Sequence, residues 1–204
     1  MKALIIIDVQ NDFIPGGALA VPNGDEIIEL INQLQEKFDL VVATQDWHPA
    51  NHASFAANQP GGKEFDIIDL NGEDQVLWPV HCIQNSKGAE FHPNLETDKI
   101  ENIIQKGTNP EIDSYSGFYD NAHLKSTGLS EYLKEKGADE LYFCGLAGDF
   151  CVFYSVIDAL QEGFSAFLIE DATRSLDGSE FVKAKNSIQE KGGKIIESAA
   201  ILNT

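Results

Sequence analysis

Short apolar runs recur along this chain, with amphipathic segments between them. "KALIIID" opens it as a continuous apolar run ending in a carboxylate, and "LVVAT" (40–44) is a second run of the same kind. Such runs read as strands buried on both faces. "NIIQK" (102–106), "ELYFCGL" (140–146), "SAFLIED" (165–171) and "KIIES" (194–198) complete a set of six predicted strands. Between them lie helical patterns. "DEIIELINQLQEKF" has apolar residues at 27, 28, 31, 34 and 38, and "GLSEYLKEKG", "FCVFYSVIDALQEG" and "SEFVKAKNSIQEKGG" each end at glycine. Strands alternating with helices predict an α/β fold: one doubly wound, mainly parallel six-stranded sheet with helices on both faces and right-handed crossovers. The whole of 1–204 is expected to form a single domain.

Residues 45–101 break the rhythm. They are rich in Pro, Gly, Asn, Asp and His and carry no long periodic element. An irregular stretch of that length inside a compact domain points to function, and the clustered His and Trp support that.

Composition narrows the class. The chain has 204 residues, is 43% hydrophobic, and carries 14 basic against 33 acidic residues for a net charge of −19. A surface of that sign repels phosphate backbones and anionic lipids, so nucleic acid and membrane surfaces are poor partners. Met1 to Ile7 is too short for a signal peptide and Asp8 interrupts it. No stretch approaches the roughly 18 apolar residues needed to span a bilayer. The three cysteines form no paired framework, which fits free thiols in a reducing compartment. A cytoplasmic protein is expected.

In open α/β sheets, ligands bind beyond the carboxyl ends of the strands. Three chemically capable residues are predicted there: Asp8, Lys106 and, in the turn "GLAGDFCV", Cys151. Taken singly, Asp8 reads as a cap, Lys106 as an exposed lysine and Cys151 as a small buried hydrophobe. Cys144 inside a strand fits that last reading, and Cys82 is assigned a structural role. Cys151 differs by its place in the first turn of a helix, with Asp149 the expected N-cap. There free amides, the helix dipole and a nearby lysine stabilise a thiolate. Asp8 would hold or receive the proton, and the turn's amides could form an oxyanion hole.

A second constellation is "QDWHPANHASF" with "WPVHC". Asp46 and His48 point to one face of an extended segment, and His81 adds a second imidazole. A carboxylate and two imidazoles with open positions suit zinc, with ferrous iron or manganese as alternatives. His52 is either a fourth ligand or a surface or supporting histidine.

Together these residues resemble the nicotinamidases of the isochorismatase-like cysteine hydrolase superfamily. The resemblance rests on "ALIIIDVQNDFIPGGAL", "ATQDWHPANHASFA", "LWPVHCIQNSKGAEFHP", "QKGTNPEIDSYSGFYDN" and "GLAGDFCV", in the family's order over about residues 3–175. It implies a catalytic triad of Asp8, Lys106 and Cys151 and a divalent metal ion on Asp46, His48 and His81. It implies an oxyanion hole from the amides of Ala147 and Cys151, beside a cis peptide between Leu146 and Ala147. The substrate ring would lie among Phe13, Trp78 and Tyr115, with Leu146 and Ala147 also in the binding site. The implied reaction is hydrolysis of nicotinamide to nicotinate and ammonia through a thioester, in NAD salvage, with pyrazinamide as a further substrate. Segment 45–101 becomes a loop-rich metal-binding insertion. Whether the chain is a monomer or a homo-oligomer is left open. A cysteine amidase for another amide is the nearest rival, and Trp78 and the metal triad argue against it. Isochorismatases proper lack the nucleophilic cysteine. A thiol-redox protein would more often carry C-x-x-C.

Overall fold

The computed structural model describes residues 1–203. Strands β1 (Lys2–Ile7), β2 (Leu40–Asp46), β3 (Ile67–Leu70), β4 (Glu73–Val76), β5 (Ile100–Lys106), β6 (Glu140–Gly145), β7 (Ser165–Thr173) and β8 (Lys194–Ile196) alternate with five helices. These are α1 (Ile28–Gln35), α2 (Leu129–Glu135), α3 (Cys151–Gln161), α4 (Gly178–Glu190) and α5 (Ala199–Leu202). The six expected strands form one sheet in the order β5-β2-β1-β6-β7-β8, and every neighbouring pair is parallel.

The alternation of side chains along β1 divides the core into two layers. Leu4 and Ile6 face α1, packing with Ile28, Ile31 and Leu34. Ala3, Ile5 and Ile7 face the opposite side, packing with Leu133, Val152, Val156 and Ile188 from α2, α3 and α4. A continuous apolar strand is the sequence signature of this double burial. β6 runs close against β1 at Gly145, where φ is +115° and an added Cβ would stand 2.1 Å from the Ile7 carbonyl oxygen.

The chain winds outward from β1 to β2 and β5, then returns to place β6 on the other side of β1. The switch point therefore lies between the ends of β1 and β6, where a doubly wound sheet opens a crevice.

Two details depart from the sequence-based expectation. Residues 45–101 hold a short antiparallel hairpin, β3–β4, apart from the main sheet. Its strands are only four residues each and mostly exposed, too short to show a periodic pattern. Asp149 does not cap α3. The N-cap is Phe150, with no side-chain cap, and Asp149 instead accepts hydrogen bonds from the amides of Leu176 and Asp177. That ties the turn before α3 to the segment after β7.

Candidate active site

Asp8 follows the last residue of β1 in a left-handed conformation, φ 49°, which Asp tolerates better than most residues. Its amide donates to Thr44 Oγ1, and the Thr44 hydroxyl donates back to Asp8 Oδ1 at 2.6 Å. Lys106, the last residue of β5, is fully buried. Its Nζ lies 2.9 Å from Asp8 Oδ2 and 2.5 Å from Asp46 Oδ1, and donates to the Ser114 carbonyl at 3.0 Å and to Cys151 Sγ at 3.4 Å. The carboxylate, ammonium and thiol anticipated at separate strand ends thus meet in one buried network.

Burial disfavours the lysine's charge, but Asp46 and Asp8 outweigh it and hold Lys106 well above its usual value. The two carboxylates then part company. Burial opposes the charge on both. Asp46, held by Lys106 and by His48, ends well below the ordinary carboxylate range. Asp8, with Asp46 as a negative neighbour, ends above it despite Lys106. Asp8 is therefore the member of the pair ready to take a proton. Burial also pushes the Cys151 thiol well up, against the pull of Lys106, and a hydrogen bond to Asp8 adds to the rise. The helix start and Lys106 therefore do not by themselves bring the Cys151 thiol below its ordinary value.

The peptide between Leu146 and Ala147 is cis. The Ala147 carbonyl accepts from the amides of Phe150 and Val152, while among the described residues the amides of Ala147 and Cys151 donate to no protein group. Two free N–H groups beside a thiol can receive a developing oxyanion.

Asp46 ends β2, two residues before His48, and its Oδ2 lies 3.3 Å from His48 Nε2 and 3.6 Å from His81 Nε2. Each ring's Nδ1 contacts a carbonyl oxygen: Gly107 for His48 at 2.9 Å and Pro79 for His81 at 2.8 Å. A carbonyl only accepts, so each Nδ1 carries a proton, and each Nε2 points toward the same carboxylate oxygen. His48 Nε2 is buried and has no hydrogen-bond partner. Burial lowers the His48 pKa, but the charge and hydrogen bond of Asp46, with the charge of Asp113, together outweigh it and the net direction is up. One donor atom from each of the three residues falls within 4.8 Å of the others, so the set fits a divalent cation. Gly107, at φ +66°, makes room for this: a Cβ there would stand 2.3 Å from His48 Cε1.

His52 is fully buried, not on the surface. Its Nδ1 pairs with Ser54, its ring lies 4.6 Å from that of His48, and with His48 and Asp113 it forms a second possible ligand group.

Phe13, Trp78, Tyr115, Phe150, Ala147 and Cys151 line one cavity, with Asp46, His81 and Asp113 also on its wall. Trp78, Tyr115 and Phe150 stand edge-on to one another, at 85° for Trp78–Tyr115, 85° for Trp78–Phe150 and 74° for Tyr115–Phe150. Leu146 does not line this cavity: it is fully buried in the core, with its side chain beside Gly24. Cys82 and Cys144 are buried, form no disulfide and do not line the cavity. Thr44, Asp113 and Phe150 were not legible as site residues. Thr44 and Asp113 lie within the quoted motifs but join the site only through contacts with residues distant in the chain, and Phe150, within "GLAGDFCV", carries no polar group to mark it.

Among the described residues no helix is long and apolar enough to cross a membrane. The isochorismatase domain family matches residues 2–200. A nicotinamidase from Acinetobacter baylyi is 51% identical over 175 residues, covering 86% of this chain and 82% of that protein. The solved structure of a nicotinamidase/pyrazinamidase from Acinetobacter baumanii superposes with a TM-score of 0.95 at 48% identity, covering 98% of this chain and 97% of that one. A pyrazinamidase from Pyrococcus horikoshii, solved in complex with zinc, gives a TM-score of 0.79 at 38% identity, covering 96% and 98% of the two chains. The chain belongs to the isochorismatase domain family and, within it, to the nicotinamidases.

Proposed function

We propose that the protein hydrolyses nicotinamide to nicotinate and ammonia through a thioester on Cys151. The observation that carries this is the thiol held 3.4 Å from a buried lysine, itself 2.9 Å from the carboxylate that is ready to take a proton. Sγ attacks the carboxamide carbon as its proton passes to Asp8. The amides of Ala147 and Cys151 receive the oxyanion. Asp8 then protonates the departing nitrogen, the C–N bond breaks, and ammonia leaves a thioester. Asp8 deprotonates the attacking water, and collapse restores the thiol and releases nicotinate. Lys106 stays charged throughout and keeps Asp8 from remaining protonated.

Phe13, Trp78 and Tyr115 hold the ring, and Phe150 joins them. Asp46, His48 and His81 would hold a divalent metal ion, zinc first given the pyrazinamidase solved with zinc. When bound, that ion supplies a Lewis-acid anchor for the ring nitrogen, which orients the carboxamide. Residues 45–101 act as the metal-binding insertion of a single domain, and the enzyme works in cytoplasmic NAD salvage. Pyrazinamide, which keeps the ring nitrogen and the carboxamide, is a second substrate. The direct test is ammonia release by purified, metal-loaded protein given nicotinamide or pyrazinamide. Absence of release from both rejects the proposal.

A further inference from the structure

Hairpin β3–β4 is exposed along most of its length, but Gln75 is only 3% exposed. Its side chain turns inward. Nε2 donates to the Val76 carbonyl at 2.7 Å, to the Tyr115 hydroxyl at 2.9 Å and to Asp113 Oδ2 at 3.2 Å. Oε1 accepts from Asn121 Nδ2 at 3.5 Å. Asn121 in turn accepts the Tyr115 amide at 2.9 Å and donates its own amide to the Asp113 carbonyl at 2.8 Å. The Tyr115 hydroxyl also accepts from Trp78 Nε1 at 3.2 Å. One amide from an otherwise solvated hairpin therefore joins Asp113, Tyr115 and, through the shared hydroxyl, Trp78.

We propose that Gln75 is a positioning residue that fixes the aromatic wall of the ring pocket, an inference that rests on the nicotinamidase reading above. The perpendicular setting of Tyr115 against Trp78 has no covalent or ladder support of its own. It is held where two N–H groups converge on one hydroxyl oxygen, and Gln75 supplies the shorter of the two bonds. Removing that donor frees the Tyr115 ring to tilt and leaves the buried Asp113 Oδ2 without this partner. Gln75 touches none of Asp8, Lys106 or Cys151, so its loss weakens binding of the ring in ground state and transition state alike. Such a change raises KM and leaves kcat nearly unaltered.

The test uses Gln75→Met, which keeps length without donors, and Gln75→Asn, which keeps the amide but shortens it. Each is made in the wild type and in a Tyr115→Phe background. kcat and KM for nicotinamide are measured on metal-loaded protein whose melting transition shows it folded. Gln75→Met is expected to raise KM about tenfold with kcat within about threefold, and Gln75→Asn to fall between. In the Tyr115→Phe background the same substitution should change KM by less than about threefold, because the hydroxyl through which it acts is gone. Alkylation of Cys151 by iodoacetamide should be unchanged. An unaltered KM, an equal rise in both backgrounds, or a fall in kcat at constant KM overturns the inference. A wild type that releases no ammonia from nicotinamide overturns the underlying reading as well, whereas an active wild type indifferent to Gln75 overturns this inference alone.

Discussion

The two halves of the site are built by different means. Asp8, Lys106 and Cys151 stand just past β1, at the end of β5 and at the start of α3, elements held by backbone ladders and by two packed apolar layers. Phe13 stands on a one-turn 3-10 helix, Trp78 on an isolated bridge, and His81 and Tyr115 on irregular chain. Yet Phe13, Trp78 and His81 are almost as well buried, because side-chain amides and carboxylates replace the missing ladder. Gln10 donates to the carbonyls of Asp46 and Ala89 and accepts the Asp46 amide. Asp12 accepts the Cys82 amide, and Gln84 donates to the Trp47 carbonyl. Asn58 donates to the carbonyls of Ala50 and His52. Buried backbone polar groups must be satisfied somewhere, and an irregular segment can do it only with polar side chains. The Asn- and Asp-rich composition of residues 45–101 follows from that need as well as from the metal site. The halves meet at Asp46, whose Oδ1 serves Lys106 and whose Oδ2 faces the histidines.

The sharpest way to break this division is at the nucleophile. Cys151→Ala should abolish turnover, whereas Cys144→Ala, also buried but inside β6, should keep it. Assay of ammonia release checks both, and intact-mass labelling that maps to Cys82 instead of Cys151 would sink the assignment. Next is Lys106→Met, at the junction of the halves. It leaves two buried carboxylates without their cation, so it should lower turnover by orders of magnitude and cost roughly 3–5 kcal/mol of stability. Denaturant unfolding measures the second effect. A variant as stable as the parent would mean the network tolerates an unpaired carboxylate.

The loop-borne half has a narrower signature. Benzamide shares the carboxamide but lacks the ring nitrogen. Stripping the metal, or His48→Ala, should reduce the preference for nicotinamide over benzamide by about 100-fold in kcat/KM. If both amides slow by the same factor, the metal does not orient the ring and the halves are not functionally distinct. The smallest effect lies outside both. Glu162 accepts from Lys134, Ser130 and Tyr119, each at 2.6 Å, and these bonds lower its pKa to about 2. A carboxylate lowered by folding stabilises above its unfolded value and loses that contribution as pH falls toward the folded one. Glu162→Gln should therefore cost about 1 kcal/mol at pH 7, with the gap in melting temperature closing between about pH 4.5 and 2. Activity at pH 7 should be unchanged.

The sequence by itself determined the six sheet strands, the faces of their helices, and the residues at the carboxyl ends where chemistry gathers. Those features are local: apolar runs, helical spacing, and the rule that parallel strands open their ligand crevice at one edge. It also marked Asp46, His48 and His81 as candidate metal ligands, through residue type and spacing. Tertiary structure decided what depends on register and distance. β2 pairs with β5 so that Asp46 lies opposite Lys106, sixty residues away in the chain. That pairing makes one lysine serve both carboxylates, and the remaining neighbours then move Asp46 below and Asp8 above the ordinary carboxylate range. It likewise decided that Cys151 is buried beside Lys106, that Asp149 binds the segment after β7 and not α3, and that Gln75 turns inward from an exposed hairpin. Electrostatic and hydrogen-bond partners are set by a few ångströms, and separation along the chain carries no information at that scale.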